Sequence, residues 1–253
     1  MNEHLPVDKT FKLFIGGAFP RSESGRTFAV RDAKGALLAN ASQASRKDLR
    51  EAVRAARGAQ ESWAGRTAYN RGQILYRAAE MMEARRPEFV SVLRQIGVTP
   101  KAASKQVDQA IDRWVWYAGW ADKTHHILGT VNPVAGPYFN FTFPEPTGVV
   151  GVMAPDEPAL LGLVSRLAAV IVSGNTAVAV VEGPASLAAI TLAEVLATSD
   201  LPGGVVNLLT GDKNELLPWM MGHLDINAVD LTGAPEDLDP TILEEAAVNV
   251  KRT

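Results

Sequence analysis

The sequence predicts an α/β fold, a doubly wound parallel sheet with N-terminal helices and a protruding β-hairpin. Three observations carry this. From residue 148 to residue 253, apolar runs of strand length alternate with runs of helix length, the pattern of a parallel sheet with crossover helices. Before residue 131, apolar residues recur at helical spacing over several long stretches. Between these regions, residues 131–147 change to a Gly- and Pro-punctuated stretch with strict alternation.

The elements follow in order. Phe11-Lys12-Leu13-Phe14-Ile15 and Arg26-Thr27-Phe28-Ala29-Val30, separated by a polar turn at 22–25, read as a hairpin. Ser45 reads as a helix N-cap with Asp48 three residues on, and Leu49, Val53 and Ala56 form the apolar stripe of the helix that follows. Arg46, Arg50, Arg54 and Arg57 line its other side, expected to be a solvated face rather than a phosphate site. Further helices are expected over 68–85, with Ile74, Ala78, Met81 and Met82 facing inward, and over 102–121. The latter carries Trp114, Trp116, Tyr117 and Trp120, expected to form a core seam because the interleaved basic residues of a base-stacking platform are missing. His125 and His126 are adjacent, so on a helix they diverge by about 100° and do not chelate one ion together.

In residues 138–143, Phe139, Phe141 and Phe143 fall on one face of a strand. A lone two-stranded ribbon with such a face is unstable, so its own domain or a second subunit must cover it, and a second subunit is the expectation. Strands at 149–154, 176–181, 205–209 and 228–231 then alternate with helices at 160–172, 187–198 and 240–250.

Composition narrows the function. The net charge is −3, which gives no electrostatic reason to expect nucleic acid or an anionic membrane. Residues 159–172 form the longest apolar stretch, 14 residues that include Arg166, short of the roughly 20 a membrane span needs. Residues 1–6 carry no leader pattern, so a cytoplasmic protein is expected. The absence of any cysteine removes disulfides, thiolate metal sites and every cysteine nucleophile. No phosphate-loop, zinc-protease or serine-hydrolase motif occurs, and His223 reads as structural.

Several segments, in order, resemble the aldehyde dehydrogenase superfamily: Phe14-Ile15-Gly16-Gly17, residues 48–63, Trp116-Tyr117-Ala118-Gly119, Glu145-Pro146-Thr147-Gly148-Val149-Val150-Gly151, Gly174-Asn175-Thr176, Pro202-Gly203-Gly204-Val205-Val206-Asn207 and Leu231-Thr232-Gly233. The resemblance covers nearly the whole chain. It implies a single Rossmann-like dinucleotide-binding domain over 1–253, with 131–147 as the oligomerisation hairpin and 148–253 as the sheet core. The catalytic domain that the family carries next is expected to be absent. Cofactor contacts are implied at Glu182, Gly204 and Gly233.

The departures from that pattern shape the functional expectation. Without cysteine no thiohemiacetal forms. The strand-end motif expected to supply an oxyanion-stabilising Asn reads Ala154-Pro155-Asp156-Glu157-Pro158, and its carboxylates are expected to cap the next helix. The family lysine that contacts the ribose falls on Val180. After Gly233 a second glycine is replaced by Leu238, amid Glu236, Asp237 and Asp239, and Pro235 and Pro240 withhold N–H donors from a pyrophosphate.

The resemblance thus implies a non-catalytic relative, similar to the inactive half of a two-part dehydrogenase, with no catalytic residue and no metal. No cofactor is expected, beyond weak NAD(P) binding at a degenerate site. The expected partner is another copy, or a full-length aldehyde dehydrogenase, through 131–147. A nucleotide-binding sensor and one half of a split dehydrogenase are the alternatives.

Overall fold

The computed structural model describes residues 9–32, 34–237 and 239–253. The expectations for residues 1–6 and for Leu238 lie outside them. The centre is a four-stranded parallel sheet of β6 (Val149–Met153), β7 (Thr176–Val181), β8 (Val206–Thr210) and β9 (Ala228–Asp230), in the spatial order β8-β7-β6-β9. The first three strands are buried along their whole length, as their unbroken apolar runs require when helices cover both faces. The chain winds outward from β6 to β8 through α6 (Ala159–Val172) and α7 (Ala185–Leu196). It then returns past β6 to β9 through α8 (Lys213–Met221). That reversal places the topological switch point between β6 and β9.

The pleat divides the strand residues between two cores. Val178 and Val180 pack with Leu49, Val53, Leu216 and Met220, from α1 (Arg46–Ala64) and α8. Ala177, Ala179 and Val181 belong with α6, α7 and the helices α2 (Ala68–Ala84), α3 (Arg86–Gln95) and α4 (Pro100–Ala118). Phe14 bridges antiparallel to Leu208 and Arg252 bridges parallel to Ala228, so both edges of the sheet carry an extra short pairing. Helix α9 (Pro240–Val248) packs on α8 and buries only Ala246. No helix among the described residues is long and apolar enough to cross a membrane.

The Ser45 capping box forms as expected. Ser45 Oγ accepts from the Lys47 and Asp48 N–H groups, and Asp48 Oδ2 accepts from the Ser45 N–H at 2.8 Å. The N-terminal hairpin does not form between the two expected runs. β2 (Thr27–Arg31) pairs antiparallel with β3 (Leu37–Ser42), and β1 (Thr10–Phe11) pairs parallel with β3. The turn responsible centres on Asp32, whose Oδ1 accepts from Lys34 N at 2.9 Å and Ala36 N at 2.8 Å, and on Gly35 at φ +84°. β3 reads Leu-Leu-Ala-Asn-Ala-Ser, with no β-branched residue to announce a strand.

Two helices also go beyond the sequence reading. α3 starts directly after α2 because Pro87 sits in its first turn, where the missing N–H costs nothing. α8 forms despite Pro218 in its interior, against the local rule. The aromatic seam on α4 is real only in part: Trp114 is fully buried, whereas Trp116 is 61% exposed.

Between α7 and the N-terminal elements, Glu194 accepts from Lys9 at 2.6 Å and from Arg85 at 2.5 Å. Burial pushes this carboxyl up, but the bonds from Lys9 and Arg85 outweigh it and hold the group below its usual range. Its stabilisation is therefore present above the unfolded pKa and is lost as pH falls through the lower folded value. Glu194→Gln is expected to lose about 1 kcal/mol at pH 7, discounted for the half-exposed Lys9. The difference from the unaltered protein should vanish on acidification, in urea titrations run from pH 7 downward.

Candidate functional site

The carboxyl ends of β6, β7 and β8 carry the loops that define the candidate site. Asp156 and Glu157 follow β6, Glu182 and Gly183 follow β7, and Gly211 and Asp212 follow β8. Lys213 joins all three loops. Its side chain is only 3% exposed, its Nζ donates to Asp156 Oδ1 at 2.6 Å, and its backbone N–H reaches Glu182 Oε2 at 3.4 Å. Asp156 itself is 68% exposed, so the pair has a buried cation and a wet anion. Such a geometry ties the β6 and β8 loops together while leaving carboxylate oxygen free toward the cleft.

The expected cap on α6 is absent. Pro158 occupies the N-cap with no side-chain cap bond, and Leu160 N–H donates instead to Gln106 Oε1 of α4 at 2.8 Å. Asp156 is drawn away by the ammonium of Lys213, a charge the local sequence does not reveal.

A cavity of about 720 Å³ opens beside these loops, lined by Asp156, Glu157, Glu182 and Gln106 and walled by Ile96 and Val98. A smaller one of about 210 Å³ adjoins it at Glu182, Gly183 and Asp212. Val180, the position of the implied lysine, is fully buried in the α1–α8 core and reaches neither cavity.

The implied cofactor residues are split by the fold. Glu182 and Gly233 sit at the carboxyl ends of their strands, whereas Gly204 precedes β8 at the opposite end of the sheet. Gly204 has φ +92°, and a Cβ there would lie 2.5 Å from the Ala55 carbonyl oxygen, so its glycine serves close packing on α1. Gly233 donates its N–H to Met153 O at 3.0 Å, and a Cβ there would lie 2.3 Å from Ala154 O. Its glycine lets the β9 loop lie directly against the β6 loop at the switch point.

These residues do not fit a pyrophosphate. An anion of that kind needs open N–H groups at a helix N-terminus. At α8, Asp212 Oδ1 already accepts from Asn214 N at 2.8 Å and Glu215 N at 3.3 Å. At α9, Asp239 Oδ1 accepts from Thr241 N at 2.9 Å, and Pro240 offers no donor. That Thr241 bond holds the Asp239 carboxyl below its usual range, so it stays anionic. At α6 the Leu160 donor belongs to Gln106.

The arginines of α1 are used internally. On α1, Arg46 lies 3.8 Å over the Trp219 ring, Arg50 and Arg54 pair with Glu51, and Arg57 donates to Asp225 O and to Asn227 Oδ1. His223 is structural as expected. Its Nδ1 accepts from Asp225 N, its carbonyl accepts from Lys251 Nζ at 2.8 Å, and burial pushes its pKa down. Among the described residues no three His, Cys, Asp or Glu side chains converge to hold a metal ion.

The ribbon forms from β4 (Thr130–Asn132) and β5 (Asn140–Thr142), antiparallel, with Val131 opposite Phe141. Phe139, Phe141 and Phe143 lie along one face, Phe139 tilted against Phe141 at a ring separation of 5.3 Å and Phe141 stacked on Phe143 at 5.8 Å, and they are 76%, 53% and 46% exposed.

Sequence reasoning missed Lys213 and Gln106 because each acts across the fold. The only local hint of Lys213 is a cation directly after the β8 turn.

The comparisons with known proteins agree on one family. A model described as the aldehyde dehydrogenase family matches residues 19–253. Retinal dehydrogenase 2 of Homo sapiens is 32% identical over 252 residues, covering 96% of this chain and 48% of that protein. Cytosolic 10-formyltetrahydrofolate dehydrogenase of Mus musculus is 32% identical over 258 residues, covering 98% of this chain and 28% of that protein. The solved NAD+ complex of an aldehyde dehydrogenase from Bacillus cereus superposes with a TM-score of 0.88 at 28% identity, covering 96% of this chain and 50% of that one. The chain thus spans half or less of the length of these relatives.

Proposed function

We infer, from the premise that this chain belongs to the aldehyde dehydrogenase family, that it serves as a non-catalytic structural or regulatory subunit of an NAD(P)-dependent aldehyde dehydrogenase. The observation that carries this reading is the Lys213–Asp156 pair at the end of β6. The side chains there, Asp156 and Glu157, carry carboxylates and no amide N–H to donate to a developing oxyanion. The 253 residues also contain no cysteine, so they supply no thiolate to capture an aldehyde. The self-capped termini of α8 and α9 argue in the same direction for the cofactor: NAD(P) binding is weak.

The contribution to a complex comes from the β4–β5 ribbon. Its stacked phenylalanine face is covered by the matching ribbon of a second copy or of a full-length dehydrogenase.

Native mass spectrometry of the protein from its own source tests this, together with Phe141→Ser. The unaltered protein is expected as an oligomer or bound to a dehydrogenase. Phe141→Ser, on an exposed ribbon, should shift it to a monomer that stays folded by circular dichroism. A monomer at all concentrations that also fails to associate with a coexpressed dehydrogenase would overturn the reading. So would aldehyde-dependent reduction of NAD(P) by the isolated chain.

A further inference from the structure

We propose that a separate cavity of about 450 Å³, between α1, α8 and α9, binds a small aromatic carboxylate. Its lining comes from these helices and the turn after α8, with no residue of the loops that follow β6, β7 or β9. Its volume lies within the range of small-molecule sites, about 300–1,000 Å³.

The charge in the lining favours an anion. Arg46 and Arg50, one turn apart on α1, both reach the cavity. Arg46 is held by stacking 3.8 Å over the Trp219 ring, and among the described residues its N–H groups donate to no carboxylate or carbonyl. Its neighbours on the helix differ, since Lys47 pairs with Glu23 and Arg54 with Glu51. Arg50 shares that same Glu51 at 3.3 Å, so one carboxylate serves two guanidinia. Glu245 of α9, the acidic residue in the lining, pairs with neither arginine among the described residues. His223 adds no charge at neutral pH, because burial pushes its pKa down. Two guanidinia against one carboxylate leave one positive charge, which suits a monoanion, and the planar fork of a guanidinium matches the two oxygens of a carboxylate.

A second observation, independent of the charges, concerns the other end of the ligand. Leu49, Pro218 and Trp219 form the apolar part of the lining, and Trp219 remains 44% exposed although a guanidinium lies over it. A ligand ring packs against that indole in an offset or edge-to-face arrangement. Because Arg46 stacks on the same indole, its donors sit at the margin of the apolar surface, where the carboxylate of a ring-bound ligand arrives.

The inference rests on this cavity and holds whether or not the chain is a non-catalytic subunit. Calorimetric titration of benzoate into the purified protein tests it, against benzyl alcohol, which lacks the charge, and acetate, which lacks the ring. Saturable binding of benzoate is expected, with both controls weaker. Arg46→Gln, at an exposed position, should weaken benzoate about tenfold. Arg54→Gln removes the same charge from the same helix outside the cavity and should leave binding unchanged. Circular dichroism establishes that each variant is folded. Absence of saturable heat up to about 10 mM benzoate in the folded protein overturns the proposal. Acetate or benzyl alcohol binding as tightly as benzoate does so too, as does a loss from Arg46→Gln no larger than that from Arg54→Gln. None of these results bears on the oligomer measured by mass, so the two readings fail separately.

Discussion

Arg71→Met is expected to lower stability by about 3 kcal/mol, from three carbonyls left without a donor at about 1 kcal/mol each. Arg71 of α2 is buried, and its Nε donates to Val172 O at 3.1 Å, at the end of α6. Its Nη1 donates to Ala64 O at 3.1 Å, at the end of α1, and to Arg66 O at 2.6 Å. One guanidinium thus joins two helix ends, and at the end of α6 it acts beside Trp63 Nε1, which donates to Ile171 O at 2.9 Å. Burial lowers its pKa, yet an arginine remains charged at any working pH, so no pH dependence is expected from this site. At this chain length 3 kcal/mol corresponds to roughly 6–12 °C in the melting temperature. Arg71→Lys should fall between the two, because an ammonium lacks the planar fork that reaches both helix ends. A loss below about 1 kcal/mol for Arg71→Met would mean that water replaces the guanidinium at these carbonyls.

Gly204→Ala should be at least as damaging, by about 3 kcal/mol or more, and for a different reason. The residue combines φ +92° with a Cβ position 2.5 Å from Ala55 O and 3.1 Å from the Ala59 Cβ. Relief requires α1 to move away from the sheet, and α1 buries Leu49, Ala52, Val53, Ala56 and Trp63 beneath it. Urea denaturation and soluble yield measure the effect. Gly35→Ala is the control: it has φ +84° with nothing within 4 Å, so it carries the backbone strain without the clash. If the two variants lost the same stability, the close approach to α1 would contribute nothing. The comparison also separates packing from ligand contact, since Gly204 lies at the end of the sheet away from Glu182 and Gly233.

Much of the sheet was legible because each strand is a continuous apolar run flanked by Gly and Pro. Val149–Met153 and Thr176–Val181 lie where the alternation puts them. The ribbon face was legible from period-two spacing alone, and the Ser45 cap from a three-residue offset. The N-terminal sheet was not, because β3 is alanine-rich and its pairing depends on an Asx turn at Asp32 that its neighbours do not announce. Nor was the fate of Asp156. A carboxylate before a helix reads as a cap, and only the arrival of Lys213 from 57 residues away turns it into an ion pair across the cleft.

The sequence by itself determined the alternation of strand and helix, the lack of any thiolate, the aromatic face of the ribbon and the family. These depend on residue identity and on spacings within one element, where nearest neighbours decide. The tertiary structure alone decided which loops meet at the strand ends. It made Lys213 the buried cation of the cleft, set Gln106 as the acceptor at the start of α6, sent Gly204 to the far end of the sheet, and made Arg71 the shared cap of helices up to 101 residues away. Strand order sets those encounters, and strand order comes from burying two faces of one sheet at once. No local pattern encodes it.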